Sequence, residues 1–215
     1  MRLARGPLRL RWKVALVLLA LVTLLVVAVA VVGKVEDPLF PNDYSKVVLD
    51  EDGGYLRIFL NSNEQWILPD SGRPIPPKLK AAVIHYEDKR FEGHWGIDPL
   101  ALTRALYQNI RYRSTISGAS TITMQVARLM EPKERTVRNK LIEMAQSLVI
   151  EGRYSKDQIL QLYLRHAPYG GNIIGYHAAS LRYFGKEPEH LSWAETATLA
   201  VLPNDPARVN PNRNV

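Results

Sequence analysis

His85-Tyr86-Glu87-Asp88-Lys89-Arg90-Phe91-Glu92-Gly93-His94-Trp95-Gly96-Ile97-Asp98 is the stretch from which the fold is read. It ends a helical segment that starts near Lys78, placing two adjacent carboxylates at the helix end. A loop with Phe91, His94 and Gly96 follows, and a second helix opens at Asp98, an N-cap residue with Pro99 at the first helical position. Further on, Ser117-Gly118-Ala119-Ser120-Thr121-Ile122-Thr123-Met124-Gln125-Val126-Ala127-Arg128 is a small-residue loop feeding another helix. Free N–H groups and the helix dipole at such an N-terminus favour an anion. A carboxylate base beside an anion-holding loop suits transfer to a sugar hydroxyl from a phosphorylated donor. Each piece alone is weak: a helical carboxylate is usually a solvated charge, Gly-Ala-Ser-Thr is usually a turn, and a lone histidine is usually structural. No His-x3-His or comparable spacing points to a metal site.

Outward from these stretches, everything after Pro77 reads as helical. Ile122 to Met130 is a short helix. Arg135 to Glu151 is the longest, with Val137, Leu141, Met144 and Leu148 on one face and Gly152 as its stop. Ser155 with Gln158, and Ser192 with Glu195, are capping-box patterns opening helices that run to Leu164 and to Leu202-Pro203. Ahead of Pro77 the pattern changes to β. Val47–Leu49 and Tyr55–Leu60 flank the hairpin-type turn Asp52-Gly53-Gly54, and Gln65–Leu68 offers a third strand. Val35 to Asn42 reads as a short Pro-containing stalk, and the proline-rich Pro69–Pro77 closes the β element.

Val14 to Val32 is an apolar run of 19 residues interrupted only by Thr23. As a helix it spans roughly 28 Å, close to the hydrocarbon thickness of a bilayer. Arg2, Arg5, Arg9, Arg11 and Lys13 precede it, whereas Lys34 is followed by Glu36 and Asp37. The positive-inside bias therefore places the N-terminus in the cytoplasm and the remainder outside. Ala28-Val29-Ala30 resembles a cleavage site, but the run is long for a signal peptide and continues past it, which favours an uncleaved anchor. The expected organisation is a basic tail (1–13), a transmembrane anchor (14–32), a stalk with a small β module (33–77) and a catalytic domain (78–215). The five N-terminal basic residues also account for most of the formal charge of +7. No dense basic face with interleaved aromatics signals a nucleic-acid partner. The absence of cysteine excludes disulfides, thiolate metal sites and cysteine nucleophiles.

Together and in order, these motifs resemble glycosyltransferase family 51, the peptidoglycan polymerase domain. Glu87, Asp88, Phe91, His94 and Gly96 match its E-D-x-x-F-x-x-H-x-G motif. Gly118, Ser120, Thr121, Ile122, Thr123 and Gln125 match G-G-S-T-I-T-Q-Q, and Lys140 and Glu143 match the K and E of R-K-x-x-E. Ser155–Leu160 with Tyr163-Leu164, Tyr183–Lys186 and Ala200–Pro203 resemble the later signatures. Thr123–Arg128, Ala167–Gly171, Phe59-Leu60 and Gln65-Trp66 look like the 1C type of penicillin-binding protein, without its transpeptidase domain. Met124, Ala119 and Arg128 stand where the family has Gln, Gly and Lys, and Asn139 replaces the Arg of R-K-x-x-E.

The resemblance implies a mainly α, lysozyme-like fold behind a small N-terminal β element and one transmembrane helix. It also implies a peptidoglycan glycosyltransferase that polymerises lipid II at the outer face of a bacterial cytoplasmic membrane. Glu87 is then the catalytic base and Glu143 the second catalytic glutamate. Asp88, Phe91, His94, Ser120, Thr121, Gln125, Arg128 and Lys140 bind substrate, with Lys140, Arg128 and the Ser120-Thr121 loop on the pyrophosphate. No resident cofactor is implied beyond a divalent cation (Mg or Mn) on that pyrophosphate. The expected partners are lipid II, the nascent glycan strand, the membrane and other cell-wall synthesis proteins. Two other readings compete: a muramidase or lytic transglycosylase, which has no need of the pyrophosphate apparatus, and an inactive scaffold, which has no need of Glu87.

Overall fold

The computed structural model describes residues 34–69, 72–112, 118–204, 206–209 and 211, with isolated positions 16, 19, 20, 23 and 27. The expected anchor therefore lies for the most part outside the described residues. Among those described, no helix is long and apolar enough to cross a membrane.

The expected hairpin is present. Strands β1 (Val47–Leu49) and β2 (Tyr55–Ile58) pair antiparallel, Val47 opposite Ile58 and Val48 opposite Arg57. Their turn is tied by the Asp50 carboxylate, which accepts from the backbone N–H groups of Asp52 and Gly54. The third strand, β3 (Trp66–Ile67), leaves this hairpin. It lies parallel to β5 (Ile173–Ile174), whose other side pairs with β4 (Pro168–Gly170), giving the order β3-β5-β4. A two-residue strand has too little pattern to reveal a partner so far along the chain.

The helices that follow are α1 (Pro77–Glu87), α2 (Pro99–Tyr112), α3 (Ile122–Met130), α4 (Val137–Arg153), α5 (Lys156–His166), α6 (Tyr176–Phe184), α7 (Trp193–Val201) and α8 (Pro206–Val209). The start signals read from the sequence are all in use. Asp98 accepts from the N–H groups of Leu100 and Ala101, and Ser155/Gln158 and Ser192/Glu195 form full capping boxes. Helix α3 is the centre of the domain. Ile122, Thr123, Met124, Val126 and Ala127 are all buried, and the helix packs against both α4 and α5. Helix α1 buries Leu79 and Val83 and packs against α7. Met124 is one of the residues departing from the family pattern, and here it is a core side chain.

Two expectations need correction. The apolar stripe of α4 is not its buried face: Val137 is 81% exposed and Leu141 60% exposed, while Glu143, Gln146, Ser147 and Ile150 are buried. Polar groups hold the inner face because each finds a partner. Glu143 accepts from Arg128, Gln146 donates to the Lys34 carbonyl and to Glu131, and Ser147 donates to the Met144 carbonyl. Gly152 does not stop α4 either. The helix runs on to Arg153, and the N–H of Tyr154 closes the last turn on the Ile150 carbonyl. The segment read as a stalk lies along the domain. Val35 and Leu39 join the core, Arg153 donates to the Val35 carbonyl, and the Phe40 ring stacks on His166 with centroids 3.7 Å apart. Burial, with Arg165 beside it, lowers His166 to about 4, so the stacked imidazole is neutral at physiological pH.

Candidate active site

The site is built where α1 ends and α3 begins. Glu87 is the last residue of α1 and Asp88 its C-cap. The Asp88 carboxylate is buried and accepts from His94 Nε2 at 3.0 Å and from the backbone N–H of Ile122 at 3.1 Å. Because an ionised carboxylate only accepts, His94 must present Nε2–H to it. Asp88 thereby caps α3 from a distance, adding to the cap supplied by Thr121, whose Oγ1 accepts from Met124 N–H.

Thr121 Oγ1 also donates to the Gly96 carbonyl at 2.5 Å. Gly96 has φ +74°, and a Cβ on it would fall 2.7 Å from the Ser147 carbonyl oxygen of α4. Only glycine fits that conformation at that distance. The glycine and histidine of the first motif thus press their loop against α4 and α3. Lys156 secures the same loop from behind: its ammonium donates to the His94 carbonyl at 2.6 Å and to Glu151 at 2.7 Å, and lies 4.5 Å over the Phe91 ring. Phe91 itself is in the core.

Glu87 faces a cleft of about 480 Å³ bordered by Tyr86, Arg90, Arg104 of α2 and the Gly118–Thr121 loop. Its two oxygens are held separately. Oε2 accepts from Gln125 Nε2 and Oε1 from Asn204 Nδ2, both at 2.8 Å. Burial raises the Glu87 pKa above its ordinary value; the two amides oppose this and the neighbouring Asp88 adds to it. The result is a stronger base than a surface carboxylate.

Across the loop lie the cations. Lys140 Nζ donates to Ser120 Oγ. Arg128 forks onto Glu143, Nε to Oε1 and Nη2 to Oε2, each at 2.8 Å. Burial lowers Lys140, Glu143 opposes this and Arg128 adds to it. Asn139 does not take part. Its backbone N–H bonds the Thr136 hydroxyl and its side chain donates to the Glu134 carbonyl, so it serves the start of α4.

Of the residues singled out in the sequence, Glu87, Asp88, Ser120 and Thr121 line one cleft, Gln125 bonds Glu87, and Lys140 joins through Ser120. Phe91 and His94 are buried behind that cleft. In both acidic clusters every carboxylate oxygen already accepts a hydrogen bond, while His94 Nδ1 is buried without a partner. Both oxygens of Glu143 are taken by Arg128. Asp88, His94 and Asp98 bring ligand-type atoms within 4.8 Å of one another, but Asp98 is forked by Arg90 and caps α2, while Asp88 bonds His94 and α3. Sequence reasoning missed Asn204, Arg104 and the role of Lys156. Asn204 follows directly on the Ala200–Pro203 signature, and Lys156 sits inside the fourth motif; nothing in the sequence marks Arg104.

Comparison with known proteins gives the family. The Transglycosylase family profile matches residues 54–215. Penicillin-binding protein 1C of Escherichia coli (strain K12) is 41% identical over 176 residues, covering 82% of this chain and 23% of that protein. Penicillin-binding protein 1F of Bacillus subtilis (strain 168) is 34% identical over 168 residues, 78% of this chain and 23% of that protein. Penicillin-binding protein 1A of Aquifex aeolicus (strain VF5) is 41% identical over 138 residues, 64% of this chain and 19% of that protein. The chain thus spans about a quarter or less of the length of these relatives. With the profile running from β2 through the carboxylate cleft and the cation cluster, the chain belongs to the transglycosylase family.

Proposed function

We propose that this domain is a peptidoglycan glycosyltransferase that polymerises lipid II. The observation that carries the reading is a half-buried carboxylate, Glu87, sharing a cleft with the Gly118–Thr121 loop to which Lys140 is bonded. Glu87 takes the proton from the 4-hydroxyl of the acceptor GlcNAc as that oxygen attacks the anomeric carbon of the donor MurNAc. The bond to undecaprenyl pyrophosphate breaks with inversion. A sugar hydroxyl is a very weak acid, and a positioned base of raised pKa contributes roughly 10²–10⁴-fold. The leaving pyrophosphate gains charge as it departs, and Lys140, Arg128 and the loop at the start of α3 stabilise it. Glu143 holds Arg128 in place, and Asp88 and His94 hold the two walls together. Both Glu143 oxygens accept from Arg128, and no step here is routed through a divalent cation.

The same reading places the domain at a membrane surface. Helix α2 buries only Ala105 and turns Leu100, Leu102, Leu106, Tyr107 and Ile110 outward, with Arg104 on the cleft side. An apolar face beside the cleft suits a substrate held in the bilayer by its polyprenyl tail. The basic tail and the Val14–Val32 run would anchor the chain, with the catalytic domain on the outer face of the cytoplasmic membrane.

The test is incubation of the purified protein with labelled lipid II in detergent. Polymer made by the wild type, and lost in Glu87→Gln, is the expected result. No polymer from lipid II, together with digestion of preformed sacculi, would instead assign a hydrolase.

A further inference from the structure

We propose that Asn204 is a positioning residue for Glu87, fixing the carboxylate for proton transfer and setting the pH range in which it works as a base. This rests on the reading of Glu87 as the base. The Asn204 amide is 2.8 Å from Glu87 Oε1, opposite the Gln125 amide at 2.8 Å on Oε2. One side chain on each oxygen removes the rotation of the carboxylate about its last bond, which a single contact would leave open.

The chain is built to bring Asn204 there. Helix α1 packs along α7, Glu87 being the last residue of α1 and Asn204 lying in the turn that follows α7. That turn is firmly seated. Leu202 is fully buried and its N–H bonds the Thr198 carbonyl, while the Asn204 N–H bonds the Val201 carbonyl. The Glu87–Asn204 bond therefore joins the ends of two packed helices.

The chemistry selects an amide. An ionised carboxylate accepts only, so Asn204 presents N–H to it and favours the charged form. The other charges and titratable groups around Glu87 are Asp88 beside it, Tyr163 of α5 and Tyr169 of β4 on its buried side, and Tyr86, Lys89, Arg90, Asp98 and Arg104 along the cleft. Among the described residues, only Gln125 and Asn204 donate a side-chain hydrogen bond to Glu87. Removing one leaves burial less opposed, and a carboxylate in place of the amide adds a like charge.

Asn204→Leu and Asn204→Asp separate the possibilities. In a carboxyl ¹³C NMR titration the Glu87 midpoint should rise in Asn204→Leu and rise further in Asn204→Asp. This readout needs no turnover. In lipid II polymerisation, Asn204→Leu should lower kcat about tenfold with little change in KM, and move the acid limb of the pH–rate profile upward. In a Glu87→Gln background the same change should add almost nothing, because its effect passes through the Glu87 carboxylate. A Glu87 titration unchanged in both variants overturns the proposal. So does a fall in kcat that leaves the acid limb in place or adds fully to Glu87→Gln. Wild-type protein that makes no polymer would refute the polymerase reading instead, while the NMR titration would still decide whether Asn204 governs Glu87.

Discussion

Glu143→Gln is the perturbation whose effect the structure defines best. In the wild type the Arg128 fork meets two carboxylate oxygens at 2.8 Å; the Glu143 side chain is 7% exposed and that of Arg128 32%. Glutamine keeps one acceptor oxygen and turns an NH2 group toward the other guanidinium N–H. One bond is lost and two donors face each other. Breaking a fully buried pair costs roughly 3–5 kcal/mol, but water reaches a third of Arg128, so the loss of stability should be about 1–2 kcal/mol. On the proposed function the kinetic loss should be larger in kind, because an unpinned guanidinium would no longer meet the pyrophosphate in one geometry. A fall of roughly 10–100-fold in kcat/KM for lipid II is expected. Adding Arg128→Ala to Glu143→Gln should then cost little more than Arg128→Ala alone, since both act through the same fork. Polymerisation rates and melting curves of the single and double variants provide the test. Independent, multiplying losses would refute the assignment, as would restoration of Glu143→Gln by added Mg²⁺, which would show that the carboxylate serves a cation.

Glu87→Gln should lower polymerisation by on the order of 10² or more while binding of a donor mimic changes little, measured by lipid II turnover and by titration with the mimic. The same variant should be more stable than wild type at pH 7. Because burial raises the folded-state pKa of Glu87, folding carries a penalty that appears as pH rises from the unfolded value through the folded one. The stability gap between variant and wild type should therefore close on acidification below that window, and a constant gap would contradict this. Gly96→Ala should damage folding and activity together, as its Cβ would lie 2.7 Å from the Ser147 carbonyl in a backbone conformation that disfavours alanine; a variant with wild-type melting would disprove the close approach. Leu106→Ser with Ile110→Ser should leave the melting curve nearly unchanged, because both side chains are exposed, but weaken binding to lipid vesicles; equal vesicle binding would remove α2 from the membrane contact.

The helices were legible wherever a local signal decides. Asp98-Pro99, Ser155 with Gln158 and Ser192 with Glu195 each start a helix by chemistry confined to one turn. The Asp50–Gly54 turn is equally local. What the sequence hid depends on contacts between distant segments. Trp66–Ile67 finds its partner at Ile173–Ile174, and Asn204 finds Glu87 across most of the catalytic domain. The motifs gave the ingredients of the site without their arrangement. Glu87 and Asp88 are adjacent in sequence, yet one faces the cleft between two amides and the other is locked to His94 and the start of α3.

The error on α4 shows where pattern and function part. Periodicity predicts that a helix buries its apolar stripe, and here Val137 and Leu141 are outside while Glu143, Gln146 and Ser147 are inside. Such an inversion costs stability unless every buried polar group is satisfied and something else offsets the exposed apolar ones. The first condition is largely met, by Arg128, by the Lys34 carbonyl and Glu131, and by the Met144 carbonyl, with Gln146 Oε1 left as a buried acceptor without a partner. The second points outward: Val137 and Leu141, like Leu106 and Ile110 of α2, are exposed side chains that core packing does not explain. A helix turned this way keeps Glu143 and Lys140 toward Arg128 and Ser120 while leaving apolar groups on the surface. On the proposed function both consequences serve one end, since a substrate with a pyrophosphate and a polyprenyl tail needs cations behind the Ser120 loop and apolar surface for the tail. A water-soluble sugar would require only the first.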